Sequence, residues 1–437
     1  MATGTSLSDV FPLGSRVNER GRLEVGGCDT IELASEFGTP AYVVAEDDLR
    51  SRARTFVRAG RDCGHEDFHV VFASKAFPCT AVLRVFAEEG LWCDVASGGE
   101  LHLALQAGFR AERLVLHGNA KSETELGMAL GIGVGLIVVD NFEEIDRLEE
   151  LLAERDGAVQ RVLLRVTPDV RGETHEKIST GQADSKFGFS RADLGEAMAR
   201  VRAIEGLMLE GLHAHIGSQL LELEPFVEEV AEIAEVAGAG DLPVWNLGGG
   251  LGVRYTEEQA EPPAIERYVA EIVRAAHAHG LDADRRLLIE PGRSLCANAC
   301  VTLYTVESVK DNVSRWVAVD GGMSDNLRPM MYGARYEAHV ADRLGGQMRC
   351  VLAGKHCESG DVIVRDAMLS DPKPGDVIVT PATGAYGYAM ANNYNGVPRP
   401  PVIFCSEGDA RVVVRRESFE DLSARDVTPE GIAADVG

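Results

Sequence analysis

Short apolar runs recur along the chain from residue 68 to about residue 290. They begin near Phe68, Leu91, Arg113, Leu136, Arg161, Leu209, Val244 and Leu287. Most are followed by a stretch with helical periodicity, such as "TAVLRVFAEEG" (80–90), "GGELHLALQAG" (98–108) and "NFEEIDRLEELLAER" (141–155). The early runs start 22 to 25 residues apart, and the later ones lie further apart, which reads as insertions. Eight strands alternating with helices predict a (β/α)8 TIM-like barrel over residues 46–296, with an open doubly wound sheet as the competing arrangement.

After Ala297 the pattern changes. Segments such as "VTLYTVESV", "GDVIVRDAML", "GDVIVTPATG" and "DARVVVRR" are short, Val-rich and bounded by Gly, Pro or Asp. Helical periodicity is scarce there. These features predict an all-β domain, a sandwich or a barrel, over residues 297–437. The N-terminal residues 1–45 carry one more strand candidate, "PAYVVA" (40–45), and are expected to complete that domain.

A chain of 437 residues is too long for one ordinary core, which agrees with two domains. The net charge of −26 argues against nucleic acid and anionic membrane as partners. The run Leu136–Val139 is far too short to span a bilayer, and Met1–Val10 has no secretory pattern, so a cytoplasmic location is expected. Nine cysteines contain no CxxC pair and read mostly as buried thiols in a reducing compartment.

On the barrel reading, polar residues gather where the strands end. Lys75 follows strand 1, Asp94 strand 2 and "HGNAKS" (117–122) strand 3. Arg165 lies on strand 5, and "HAHIGSQ" (213–219), "NLGGGLG" (246–252) and "IEPGRS" (289–294) close strands 6 to 8. This is the C-terminal mouth, where barrel enzymes carry their chemistry. Gly248, Gly249 and Gly250 can bring bare amides to an anion, or form a plain turn. Arg293 can add charge-assisted bonds, or sit on the surface. Glu290, at the end of an apolar strand, demands a donor. His213 and His215 alternate on a strand and so share a face, as packed histidines or as zinc ligands. Lys75 is either a snorkelling side chain or a desolvated amine of lowered pKa that forms Schiff bases. An anion site, a carboxylate and a reactive amine around one space match pyridoxal 5′-phosphate (PLP).

The motifs "FASKAF", "DVASGGEL", "HGNAKS", "HEKISTG", "SKFGFS", "GLHAHIGSQ", "NLGGGLG", "EPGRS", "DGGMSDNLRPMMY", "AGKHCESGD" and "ATGAYGYAMANNYN" stand in the order found in the fold-type III PLP decarboxylases. From about Gly26 to Asp421 the chain resembles that family, and within it the branch acting on diaminopimelate. The resemblance implies an alanine racemase-like arrangement of barrel and β domain. It implies decarboxylation of meso-2,6-diaminopimelate to L-lysine and CO2, the last step of lysine biosynthesis, in a homodimer with shared active sites, and it implies no metal.

By position, the resemblance makes Lys75 the residue bonded to the cofactor and stacks His215 on the ring. Asp94, Ser218, Gly249, Gly250, Gly292, Arg293 and Tyr386 complete the cofactor set, and Glu290 pairs with the pyridine nitrogen. Arg328 and Tyr332 grip the distal carboxylate of the substrate, with Arg293 and Tyr386 also on the substrate side. Cys357, the proton donor, and Glu358, facing the distal amine, come from the second subunit. Ala389 departs from the family, which often has serine there. Residues 171–186 are a lid candidate. The alternatives are the same fold acting on arginine, ornithine, carboxynorspermidine or a carrier-bound aminoacyl group, a metal-dependent barrel hydrolase using His213 and His215, and a non-catalytic PLP-binding paralogue.

Overall fold

The computed structural model describes residues 7–167, 186–237 and 242–427. They form two compact units. The first takes in the described residues of Met1–Arg16, Ala45–Val301 and Pro381–Ala389, and the second those of Val17–Val44, Thr302–Thr380 and Met390–Gly437.

The first unit is built on eight parallel strands: β1 (Phe68–Ala73), β2 (Trp92–Val95), β3 (Leu114–Leu116), β4 (Leu136–Val139), β5 (Gln160–Arg165), β6 (Leu207–His213), β7 (Val244–Asn246) and β8 (Arg286–Ile289). They close into a barrel. The closing pair is β8 with β1, in the register Leu287 to Phe68, Leu288 to His69 and Ile289 to Val70. That pairing rules out the open sheet. Strands buried on both faces need unbroken apolar runs, which is why Val and Leu dominate them. Val71, Trp92, Val115, Leu136, Val138, Leu163, Val244 and Leu288 form one buried cluster.

Local chemistry starts the helices between the strands. The helix Gly98–Ala107 is capped by Ser97, whose Oγ accepts from Glu100 N, and Gly108 closes it in the left-handed region. The helix Glu123–Ile132 opens with a capping box between Ser122 and Glu125. The helix Phe142–Ala153 is capped by Asn141. Each cap lies in the loop that leaves a strand, so the C-terminal mouth is held by short, polar, well-bonded turns.

A nine-stranded sheet underlies the second unit. Its main path runs Val362–Leu369, Met348–Ala353, Arg315–Val319, Cys300–Asp311, Ala41–Ala45, Val402–Ser406 and Asp409–Val414. His339–Val340 and Val377–Pro381 branch from that path. The N-terminal strand expected at 40–45 therefore lies in the middle of this sheet. Among the described residues no helix is long and apolar enough to cross a membrane. All nine cysteines are free; seven are buried, Cys63 is half-buried and Cys357 is exposed. Of the expected lid, residues 171–185 lie outside the described residues.

Candidate active site

Lys75 sits on the single turn Ser74–Ala76 that follows β1. Lys75 is an exposed residue, although protein crowds its side chain. Among the described residues no hydrogen bond reaches its Nζ. Burial pulls its pKa down, but Asp94, Tyr386 and Glu290 together outweigh burial and raise it. This corrects the expectation of a lowered pKa. Desolvation is present, and acidic neighbours overcome it. Asp94, buried in β2, is pushed up to about 6 by burial and by Glu290, against the pull of His117 and Lys75.

Glu290 follows β8 and is buried. Its Oε1 accepts from His117 Nε2 at 2.8 Å and from Asn246 Nδ2 at 2.7 Å. Its Oε2 accepts from His213 Nε2 at 3.3 Å. Burial alone would raise this acid; His117 and His213 hold it well below the carboxylate range. Burial drops His213 to about 3, so it donates as a neutral ring, and its Nδ1 is buried without a hydrogen-bond partner.

Strand alternation does not set the direction of His215. β6 ends at His213, so the strand alternation stops there. His215 turns instead to the glycine turn, where its Nδ1 accepts from Gly249 N at 3.3 Å. Burial, then Lys75 and Arg165, keep His215 well below its usual pKa. Among the described residues the group with metal-ligand spacing is His117, His213 and Glu290, whose ligand atoms lie within 4.8 Å of one another. Hydrogen bonds within that group already account for its spacing.

The anion side lies at the ends of β7 and β8. A Cβ on Gly249 would fall 2.1 Å from the Glu290 carbonyl oxygen, so only glycine fits that close approach. A Cβ on Gly292 would meet Ala73 Cβ at 3.0 Å and Ala76 Cβ at 3.2 Å, packing the β8 loop against the Lys75 turn. Gly250, at φ 132°, lies close to Gly217. Arg293 is 6% exposed. It donates to Ser218 Oγ at 2.9 Å and to the Tyr255 hydroxyl, and its guanidinium lies 4.9 Å from the Tyr386 ring centre. Its Nε is buried without a partner. Among the described residues no carboxylate pairs with it. Tyr386 holds the left-handed φ of 63° and donates its N–H to Ala76 O at 2.8 Å, beside Lys75.

The first unit thus gathers Lys75, Asp94, His215, Ser218, Gly249, Gly250, Glu290, Gly292, Arg293 and Tyr386 around one mouth. The other four expected residues lie in the second unit. Arg328 is buried on the short helix Arg328–Tyr332 and donates to the Tyr336 hydroxyl. Tyr332, half-buried, ends that helix. Cys357 and Glu358 lie on the exposed turn between the strands Met348–Ala353 and Val362–Leu369. Cys357 N donates to Asn395 Oδ1 at 3.0 Å, and Glu358 accepts from the Tyr394 hydroxyl.

Sequence reasoning missed His117, Asn246 and Tyr255. The first two carried a signal, since each stands at a strand end beside glycine in "HGN" and "NLGGG". Tyr255 carried none, because its role is to meet an arginine 38 residues later.

A model of the pyridoxal-dependent decarboxylase pyridoxal binding domain matches residues 47–297. A diaminopimelate decarboxylase of Halalkalibacterium halodurans is 46% identical over 429 residues, covering 94% of this chain and 97% of the relative. One of Bacillus subtilis is 46% identical over 434 residues, with the same coverage. The chain belongs to the diaminopimelate decarboxylase family. A solved diaminopimelate decarboxylase of M. jannaschii, in complex with L-lysine, superposes with a TM-score of 0.88 at 34% identity, covering 95% of this chain and 98% of that one.

The mouth fits the cofactor that this family's name implies. A buried guanidinium without an acid among the described residues calls for an anion. The Lys75 amine makes no hydrogen bond among the described residues, and the residue is exposed. On Glu290, Oε2 holds only one long bond and can accept another.

Proposed function

We propose that the protein decarboxylates meso-2,6-diaminopimelate to L-lysine and CO2, with PLP held in the barrel mouth. The observation that carries this reading is the buried Arg293 without a carboxylate partner, on the same mouth as the open amine of Lys75. Arg293, Ser218, Gly249, Gly250 and Tyr386 would hold the phosphate, with Gly292 also lining the cofactor site. Glu290 would take the pyridine nitrogen, His215 would lie on the ring, and Lys75 would hold the cofactor through Nζ. When bound, PLP supplies an electron sink for the pair left on the α-carbon as CO2 departs.

The chain's own groups do the rest. Lys75 Nζ would have to shed a proton before it bonds, and the acids around it, Asp94 first, oppose that loss by holding its pKa up. Arg328 and Tyr332 bind the distal carboxylate, Arg293 and Tyr386 assist on the substrate side, and Glu358 binds the distal ammonium. That combination suits a substrate whose far end is itself an amino acid head, where ornithine needs only an acid. Cys357 Sγ delivers the proton to the α-carbon. Cys357 and Glu358 are contributed by the second subunit of a homodimer.

Initial rates of CO2 release from meso-diaminopimelate, ornithine, arginine and lysine test the substrate. A preference for diaminopimelate of about 100-fold or more is expected, since the other substrates lack a far carboxylate and leave Arg328 unpaired. Faster release from arginine or ornithine overturns the assignment. Mixed dimers of Lys75→Ala and Cys357→Ala subunits test sharing. They regain part of the activity if sites are shared, and a verified heterodimer without recovery refutes it.

A further inference from the structure

We infer that Asn246 is a positioning residue that ties the two ends of the cofactor site together; this rests on the PLP reading above. Asn246 is the last residue of β7 and is 0% exposed. Both ends of its amide are engaged, and they face different functions. Nδ2 donates to Glu290 Oε1 at 2.7 Å, on the side of the pyridine nitrogen. Oδ1 accepts from Gly248 N at 3.1 Å, in the turn on the phosphate side. The backbone adds a second link, from Glu290 N to Gly248 O at 2.6 Å. The next amide, Gly249 N, donates to His215 Nδ1 at 3.3 Å. One side chain therefore fixes the acid and the glycine turn, and through the turn the histidine on the ring.

Asn246 also decides which oxygen of Glu290 remains free. Oε1 takes the two short bonds, from His117 and Asn246. Oε2 keeps only the 3.3 Å bond from His213. The less occupied oxygen is the one left for the ring nitrogen. Few side chains can play both parts. Aspartate keeps the acceptor for Gly248 but sets a second carboxylate against Glu290. Alanine loses both links.

The test uses holoenzyme loaded with PLP labelled with ¹⁵N in the ring, and reads the ¹⁵N and ³¹P resonances of the bound cofactor across pH. In Asn246→Asp the ring-nitrogen titration moves by about one unit or more while the phosphorus signal stays, because a like charge acts on one end only. In Asn246→Ala both signals move. In both variants kcat falls about 10- to 100-fold with KM within about threefold, as for a small misplacement of reacting groups. An unmoved ring-nitrogen titration in Asn246→Asp overturns the inference, and so does an Asn246→Ala holoenzyme with both signals unchanged. If Asn246→Ala does not fold, Asn246→Asp decides alone. A wild-type protein that takes up no PLP sinks the functional reading itself, and the inference with it.

Discussion

Lys75 and Lys121 both stand on loops at the C-terminal end of the barrel strands, one after β1 and the other after β3, and they use their amines differently. Lys121 is 3% exposed. Its Nζ donates to Glu144 Oε1 at 2.8 Å and Oε2 at 3.0 Å, to Gly118 O at 2.7 Å and to Val138 O at 2.6 Å. All its donors are engaged, and burial pulls its pKa down. Lys75 has no such bonds among the described residues, and Asp94, Tyr386 and Glu290 raise its pKa over the effect of burial. A lowered pKa therefore marks the lysine that braces a loop, and a raised one marks the lysine that faces the open mouth. Lys121 spends its donors on the protein, and Lys75, among the described residues, does not.

The contrast can be broken at several points. The largest effect is expected from Lys75→Ala, which abolishes turnover, a loss of about 10³-fold or more by steady-state assay, while urea unfolding changes by less than about 1 kcal/mol. Lys121→Ala does the reverse. It leaves Glu144 buried without its cation and costs about 3–5 kcal/mol, while kcat per folded molecule changes little. A Lys121→Ala enzyme of normal stability would erase the distinction.

The next effect sharpens the structural half. Lys121→Met with Glu144→Leu recovers most of the stability lost in the single variant, because no unpaired charge remains. A double variant as unstable as Lys121→Ala would show that the lost bonds to Gly118 and Val138, and not the orphaned acid, set the cost.

Smaller effects test the charge on Lys75. Asp94→Asn removes a carboxylate that raises the amine's pKa, so more neutral amine is present at pH 8. Apo-protein should then capture PLP faster, up to about tenfold for each unit the pKa falls. Slower capture in stopped-flow absorbance contradicts this. The smallest effect is on stability. Asp94 binds its proton more tightly folded, at about 6, than unfolded, near 3.8. The buried charge therefore costs stability above pH 6 and nothing below about pH 4. Asp94→Asn should raise Tm by a few degrees at pH 8, with the gap closing as pH falls.

Much of this was legible in the sequence. The apolar runs from Phe68 to Leu287 mark all eight barrel strands, because strands buried on both faces leave an unbroken signal. Lys75 and Glu290 stood out because a charge at the end of an apolar strand is costly and asks for a reason. The charge state of Lys75 was not legible, since it depends on how closely Asp94 on the next strand and Tyr386, more than 300 residues later, approach the amine. The direction of His215 was not legible, because β6 ends at His213 and strand alternation stops there. Asn246 was hidden in its own motif, where three glycines drew attention away from the residue that orients them.

The account turns on which amine reaches the cofactor. Holoenzyme reduced with borohydride and digested, with the pyridoxyl group located by mass spectrometry, answers that directly. The group is predicted on Lys75 alone, with Lys121 unmodified. A pyridoxyl group on Lys121, or one spread over surface lysines with Lys75 bare, would contradict the account.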